Sequence, residues 1–162
     1  MAKRFFIGLM LLITTLVFAL PEDRGEPIEI IADNAVINEK QNQAKYSGAV
    51  VVTQGTFKIE GDVVNLKTNE NGEVETVVAQ GKPARFENMR RKIDKKPVNG
   101  KAETIYYTYE TDRVVLTGDA TITSEESAFS GSEIIYDLDS GKVIASGNKS
   151  QRVNMTIQPN NK

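Results

Sequence analysis

The chain has 162 residues and a nearly balanced charge, with 20 basic and 22 acidic side chains and a net charge of −2. This length suits one domain, and the charge balance gives no general signature of nucleic-acid binding. The sequence contains no histidine, cysteine or tryptophan. Their absence excludes serine–histidine and cysteine–histidine catalysis, thiolate or imidazole zinc sites, and disulfides. We expect no metal, no cofactor and no enzymatic activity.

The N-terminus has the pattern of a secretory signal peptide. Lys3 and Arg4 precede an uncharged, mostly apolar run over residues 5–20, and the small residue Ala19 suits a cleavage site. The run is slightly shorter than the roughly 20 residues that cross a bilayer, so an uncleaved anchor is the alternative. The predicted organisation is a signal peptide over residues 1–19 and a single domain over residues 20–162.

The remaining sequence reads as short β-strands and turns. Apolar and polar residues alternate after Pro27, β-branched runs are bounded by glycine, and Asn71-Gly72 is a strong hairpin signal. We expect about 10 to 16 short antiparallel strands and almost no helix. The strand segments are 28–30, 50–53, 57–59, 63–66, 74–78, 104–109, 114–117, 120–123, 134–136 and 143–145, and a further turn is predicted over 139–141.

An acidic residue followed by a glycine 14 to 19 positions later recurs four times. Successive acids are 29, 41 and 30 residues apart, and such a period is typical of stacked supersecondary units. A glycine after a β-branched strand indicates a sharp corner, so the repeat predicts V-shaped layers stacked along an axis. We interpret the acids as turn caps. The acids are Asp33, Asp62, Glu103 and Glu133, and the glycines are Gly48, Gly81, Gly118 and Gly147.

The inner face of the predicted layers forms an apolar lining. Alignment of the units at their glycines or at their acids selects inward residues, and Pro83 breaks the phase so that Phe86 is selected beside Gly81. The residues expected on this lining are Val50, Val52, Val64, Phe86, Ile105, Ala120, Ile122 and Ile135.

A basic cluster interrupts the second unit. It comprises Arg90, Arg91 and Lys92, followed by Lys95 and Lys96. A hairpin loop of this composition can simply be solvated, or it can contact a phosphate head group or a protein partner. The sequence leaves both interpretations open.

Several stretches resemble the OstA-like family of periplasmic lipopolysaccharide-transport proteins, the LptA family. The likeness rests on residues 28–33, on YSGAVVVTQGTFKIEGDVV over 46–64 and on GKPARF over 81–86. VVLTGDATI over 114–122 and FSGSEIIYD over 129–137 fit the same pattern. The resemblance implies a half-open antiparallel β-jellyroll with an apolar groove, located in the periplasm.

The resemblance also implies a function. Such a protein binds the lipid A part of lipopolysaccharide and forms part of a bridge that carries it to the outer membrane for assembly there. The implied partners are further copies joined head to tail, an inner-membrane LptC-like subunit and an outer-membrane LptD-like translocon. Lipid contact is implied for Ile28, Ile30 and Phe86. End-to-end assembly is expected between the edge strands, through Ile28 and Ile30 at one end and Val153, Met155 and Ile157 at the other.

Three other functions compete with a soluble lipid-bridge subunit. An LptC-like subunit would keep residues 5–20 as an inner-membrane anchor. A structural β-repeat filament would have a filled interior and no ligand. A hydrolase would have to use Glu125 and Glu126, but neighbouring strand residues point to opposite faces and could not act on one bond.

Overall fold

The computed structural model describes residues 25–89 and 97–158, which form an open antiparallel sheet of ten strands. A 3-10 turn, Glu39–Gln41, follows the second strand. No helix in these two ranges is long and apolar enough to cross a membrane. The strands are β1 (Ile28–Ile31), β2 (Asn34–Asn38), β3 (Gln43–Gln54), β4 (Phe57–Thr68), β5 (Val74–Met89), β6 (Pro97–Thr108), β7 (Arg113–Thr123), β8 (Ser127–Asp137), β9 (Val143–Ser146) and β10 (Asn154–Ile157).

The all-β prediction is confirmed, but many of the predicted short strands are arms of longer ones. The segments 57–59 and 63–66 belong to β4, and 114–117 and 120–123 belong to β7. A bulge separates each pair of arms without ending the strand. The predicted signal peptide over 1–19 and the cluster of Arg90, Arg91 and Lys92 lie outside the described residues.

The six long strands, β3 to β8, bend near their middles, which divides the sheet into two half-sheets of eight strands each. We call them half-sheet A and half-sheet B. Half-sheet A contains β2, β9 and the arms 43–47, 63–68, 74–80, 104–108, 113–117 and 133–137. Half-sheet B contains β1, β10 and the arms 50–54, 57–61, 84–89, 97–102, 120–123 and 127–131.

The bends lie side by side and form one line across the sheet, which we call the corner ridge. Every pair of neighbouring long strands has a register shift on this line, and β4 and β5 have a second shift between Lys67 and Thr68, beside their connecting turn. Acids and glycines alternate along this ridge. An acid lies at or next to the corner of one strand, and a glycine lies at or next to the corner of the following strand. In spatial order the ridge carries Asp33, Gly48, Asp62, Gly81, Glu103, Gly118, Glu133 and Gly147.

The predicted V-shaped layers exist, but each layer is a single bent strand. A strand and its turn take about half of the 30-residue period, so one acid–glycine unit comprises two antiparallel strands. The two insertions in the long second unit are the Asn69–Gly72 turn and the connection between β5 and β6.

Two of the ridge acids occupy the space above a glycine on the next strand. Gly48 has φ +85° and Gly118 has φ +81°, a left-handed conformation that suits glycine. A Cβ atom added to Gly48 would overlap with the Asp33 side chain, and one added to Gly118 would overlap with Glu103. The acids therefore pack against corners that have no side chain of their own. This contact replaces the turn-capping role predicted for the acids at these two positions.

Side chains from both half-sheets meet in one hydrophobic core. Phe57 of half-sheet B lies 4.7 Å from Tyr107 of half-sheet A, measured between ring centroids. Phe86 of half-sheet B lies 6.1 Å from Tyr136 of half-sheet A. Aromatic pairs at these distances stabilise the packing beyond their burial alone. The core therefore holds the two halves of the V together opposite the ridge.

A pair of alanine substitutions tests the packing at the ridge. Gly72→Ala should lower the free energy of unfolding by about 1–2 kcal/mol, since φ there is +81° but no atom crowds the site. Gly48→Ala should lower it by about 3 kcal/mol or more, because the new methyl group also collides with Asp33. Urea unfolding monitored by circular dichroism measures both values.

Gly72→Ala is the matched control, because both glycines have nearly the same φ and differ in the space around them. Equal losses for the two variants would contradict the packing of Asp33 on the corner. They would leave only the backbone conformation as the reason for glycine at position 48.

Candidate functional site

The interior of the V is lined by three rows of side chains that each cross all eight strands of a half-sheet. Each row is defined by residues that are direct cross-strand partners, and every position is apolar, tyrosine or glycine. Row 1 is Ala35, Tyr46, Val64, Ala79, Ile105, Leu116, Ile134 and Ala145. Row 2 is Ile37, Ala44, Leu66, Val77, Tyr107, Val114, Tyr136 and Val143. Row 3 is Ile30, Val52, Ile59, Phe86, Gly100, Ile122, Phe129 and Met155.

The middle of this lining is closed by its own side chains. Ile59, Ile105 and Leu116 have no exposed surface, and Phe86 is 2% exposed. The Phe86 ring lies over its cross-strand partner Gly100, where a Cβ atom would collide with the ring. The central rows are thus filled by their own side chains, as in an ordinary protein core.

The two ends of the lining are open. Ile30 and Tyr46 near one end, and Phe129 and Val143 near the other, are only half-buried although they pack against the core. Two other terminal members of the rows are more exposed still: Ile37 on β2 is 65% exposed and Met155 on β10 is 50% exposed. An apolar ligand can therefore reach the lining at its ends without any rearrangement of the centre.

Nine of the ten residues expected in the groove face inward. Val50, Val52, Val64, Phe86, Ile105, Ala120 and Ile122 are buried, and Ile28 and Ile30 are half-buried against the core. Their inward orientation is confirmed, while their contact with lipid stays a prediction. Among the residues expected at the ends, Val153, Met155 and Ile157 are exposed.

The tenth residue, Ile135, was predicted wrongly. Its neighbours Ile134 and Tyr136 are buried, so Ile135 points to the outer face of half-sheet A. There it pairs with Val115 on β7 and Ile144 on β9. The prediction counted inward positions from the acid Glu133. At this corner, however, the residue that the pairing with β7 skips is Ser132.

Sequence reasoning missed several inward residues. Ile59, Leu116, Ile134 and Tyr136 are buried, although only their strands were predicted. Alternation on each arm, counted from the residue that the corner skips, would have identified them. Ala84 and Val98 were missed for a different reason, because no strand was predicted around them.

The described interior carries no charged side chain. Its buried polar residues are Gln54, which donates to the Glu26 carbonyl at 3.0 Å, and Asn88. Two groups on the rest of the surface have shifted pKa values: a hydrogen bond from Lys67 to Glu75 raises the lysine pKa, and the Ser140 N–H lowers the pKa of Asp137. Neither group touches the lining, so the apolar character of the lining does not depend on the charge of these two groups.

A second concavity lies on the outside of the corner ridge. This pocket of about 460 Å³ is lined by acids, amides and hydroxyls, including Glu103, Asp119 and Glu133. No group of His, Cys, Asp or Glu among the described residues has an arrangement that could hold a metal ion. The polar walls of this outer pocket do not suit an apolar ligand, so the three interior rows remain the candidate site.

Known proteins resemble this chain in sequence and architecture. A family model described as "LptA/(LptD N-terminal domain) LPS transport protein" matches residues 29–142. The lipopolysaccharide export system protein LptH of Pseudomonas aeruginosa is 38% identical over 156 residues, or 92% of this chain and 89% of the relative. LptA of Haemophilus influenzae is 32% identical over 160 residues, covering 97% and 91%, and LptA of Escherichia coli is 36% identical over 144 residues, covering 88% and 76%.

A solved structure gives the same result. The crystal structure of LptH, the LptA-homologous periplasmic component of the lipopolysaccharide transport device of Pseudomonas aeruginosa, superimposes with a TM-score of 0.79 at 38% identity. The match covers 86% of this chain and 100% of that one. With a matching family model over residues 29–142 and relatives of this similarity over most of its length, the chain belongs to the LptA/(LptD N-terminal domain) family of LPS transport proteins.

Proposed function

We propose that this protein is a periplasmic component of lipopolysaccharide transport, which binds the acyl chains of lipid A along the apolar interior of its β-jellyroll. The observation that supports this most is the continuity of the three inner rows. They remain apolar from the first strand of each half-sheet to the last, whereas the interior of an isolated domain needs no apolar residues on its exposed edges.

Acyl burial supplies the affinity. Removing one chain of about 12 carbons from water is worth on the order of 9 kcal/mol, at about 0.8 kcal/mol per CH₂. The acidic net charge is no obstacle, because this term does not depend on attraction of the lipid phosphates. Acyl chains enter the lining from its open ends. Deeper insertion requires side chains that fill the centre, such as Phe86, to move aside.

The proposed role requires no chemistry from this chain. The relatives are named as export proteins, and we infer that this chain likewise catalyses no reaction. Movement of lipid toward the outer membrane then depends on energy supplied by other components. Binding sites of similar affinity along the lining keep the lipid from being trapped in one subunit.

The edges of the sheet are the proposed contacts with other subunits. Seven of the nine large apolar side chains that are exposed among the described residues lie on or beside β1, β2, β9 and β10. Unpaired edge strands with apolar side chains are templates for pairing with another chain. We propose head-to-tail assembly through these edges, with an inner-membrane LptC-like subunit and an outer-membrane LptD-like translocon at the two ends of the bridge.

Photocrosslinking tests the lipid site. A photoreactive residue in place of Ile30 or Phe86 should crosslink to lipopolysaccharide, because both side chains point to the lining. The neighbouring positions Glu29 and Glu87 are exposed on the opposite face and serve as matched controls that should give no product. Gel analysis with an antibody to lipopolysaccharide detects the adduct.

The competing filament without a ligand makes the opposite prediction. It would give no lipid adduct from either inner position in protein that still assembles. That outcome would overturn the assignment of a lipid-binding groove and favour a structural role for the β-repeat.

Two methionines allow a controlled test of the edge contact. Met155→Lys places a charge on the inner row at edge strand β10 and should convert assembled protein to monomer. Met89→Lys changes a methionine of similar exposure, 40% against 50%, away from the four edge strands and should leave assembly intact. Sedimentation velocity at high protein concentration compares the oligomeric states of the two variants. Equal effects would argue against assembly through edge strand β10.

Sequencing of the mature N-terminus separates the soluble subunit from an anchored LptC-like one. We expect the mature chain to begin at Leu20, after cleavage behind Ala19. A mature protein that still carries residues 5–20 and sediments with membranes would favour the anchored alternative.

A further inference from the structure

The inner face of half-sheet B carries one more row beyond row 3, at the rim of the V that is farthest from the corner ridge. Each of its residues lies two positions along the chain from a member of row 3, so alternation places it on the same face. We call it the rim row. Unlike row 3, it contains two amides and two hydroxyls among its apolar side chains. The rim row is Ile28, Gln54, Phe57, Asn88, Val98, Ser124, Ser127 and Ile157.

Three of the four polar side chains of the rim row have partners within the chain. The Gln54 amide donates to the Glu26 carbonyl at 3.0 Å. The hydroxyl oxygens of Ser124 and Ser127 lie 3.1 Å apart, and the Ser127 N–H donates to the Ser124 hydroxyl at 3.2 Å. These contacts hold the segment before β1 and the turn between β7 and β8, so they have a structural purpose.

Asn88 differs from the other three. It lies on the inner face of β5 and is only 8% exposed, yet the described residues supply its side-chain amide with no hydrogen-bond partner. Its neighbours on that face are apolar: Val98 is its cross-strand partner on β6, and Phe57 is the inward residue beside it on β4. A buried amide in such surroundings lowers stability unless a partner satisfies it.

The chemistry of the rim row favours a neutral polar group as that partner. The Asn88 Nδ2 atom can donate to a carbonyl, and Oδ1 can accept from a hydroxyl or an N–H. Phosphate groups are usually bound by arginine or lysine, but the rim row has no charged side chain. The nearby cations Lys58 and Arg85 alternate with inward residues and point to the outer face. An ester or amide carbonyl therefore fits Asn88 better than a phosphate does.

The position of Asn88 agrees with this chemistry. It follows Phe86 on the inner face of β5, and Phe86 must move aside when an acyl chain inserts deeply. A chain that occupies this space with its methyl end toward the corner ridge has its carbonyl end at the rim row. The sugar to which the chain is joined then lies outside the V, in water.

We propose that Asn88 binds the ester or amide linkage at the head of an acyl chain and thereby sets how deeply the lipid lies in the V. This inference rests on the proposed binding of acyl chains in the same interior. It adds a polar contact and an orientation, with hydrocarbon toward the ridge and sugar at the rim. The hydrogen bond that the amide lacks within the chain forms when the lipid binds.

A leucine substitution separates lipid binding from stability. Asn88→Leu removes an unsatisfied amide from apolar surroundings at similar volume, so the midpoint of thermal unfolding should rise. The same variant should bind lipopolysaccharide about threefold to tenfold more weakly, as expected for the loss of one hydrogen bond. Its affinity for diphenylhexatriene, a hydrocarbon without hydrogen-bonding groups, should not change. Fluorescence titration measures the hydrocarbon affinity, and isothermal titration calorimetry measures the lipopolysaccharide affinity.

Asn99→Leu is the matched control. Asn99 is exposed on the outer face of β6, opposite Glu87, so this variant should keep both affinities. A second pair of variants covers the case in which leucine at the rim obstructs entry of both ligands. Asn88→Ser and Asn88→Ala differ by one hydroxyl, and the serine variant should retain the higher affinity for lipopolysaccharide.

The side-chain amide also gives a direct signal. The ¹H–¹⁵N resonances of the Asn88 amide are assigned by their loss in Asn88→Leu. They should shift when lipopolysaccharide is added and stay in place when diphenylhexatriene is added, because only the former offers a hydrogen-bonding group. A side chain with a purely structural role would not make this distinction.

The contrary outcomes separate this contact from lipid binding in general. Full lipopolysaccharide affinity in both Asn88→Leu and Asn88→Ala, or resonances that respond equally to the two ligands, would overturn the rim contact and leave acyl binding in the V standing. Unsubstituted protein that binds diphenylhexatriene but not lipopolysaccharide would overturn the proposed function, and the rim contact with it.

Discussion

The fold depends on the need to bend six neighbouring strands at the same level without breaking the hydrogen-bonded ladder between them. A bend in one strand alone would pull its neighbours out of register, so the bends must lie side by side. Strands that are about 4.8 Å apart leave little room for side chains at such a line. Glycines such as Gly48 and Gly118 provide that room, and the side chains of Asp33 and Glu103 fill it.

This constraint explains what could be predicted from the sequence. Local signals were sufficient for the turns, for most strands and for inward residues such as Val50 and Ile122, because alternation holds on each straight arm. Strand β2 was missed because all five of its residues are exposed on an edge, where burial imposes no alternation. The joining of two arms into one strand also escaped prediction, since a bulge and a strand end have the same local sequence signal.

The error at Ile135 has the same origin. Inward residues stand two positions after the residue that the ladder skips at the corner. On β4 and β6 that residue is the acid itself, Asp62 or Glu103, whereas on β8 it is Ser132. Counting from Glu133 therefore shifted the phase by one residue and selected the outer face. The acid is a good marker of where the corner lies but a poor origin for counting, because its position relative to the bend varies by one.

The same repetition connects the structure to transport. A lining whose rows stay apolar up to the last edge strand has no natural boundary at the end of the chain. If a lipid met a polar ring or an unpaired carboxylate along the lining, each crossing would cost several kcal/mol of desolvation or lost acyl burial. Rows that stay apolar from the first strand of a half-sheet to the last avoid this cost. The acid–glycine alternation on the outside therefore has a consequence for the inside, because it keeps successive arms at the spacing and phase that the inner rows require.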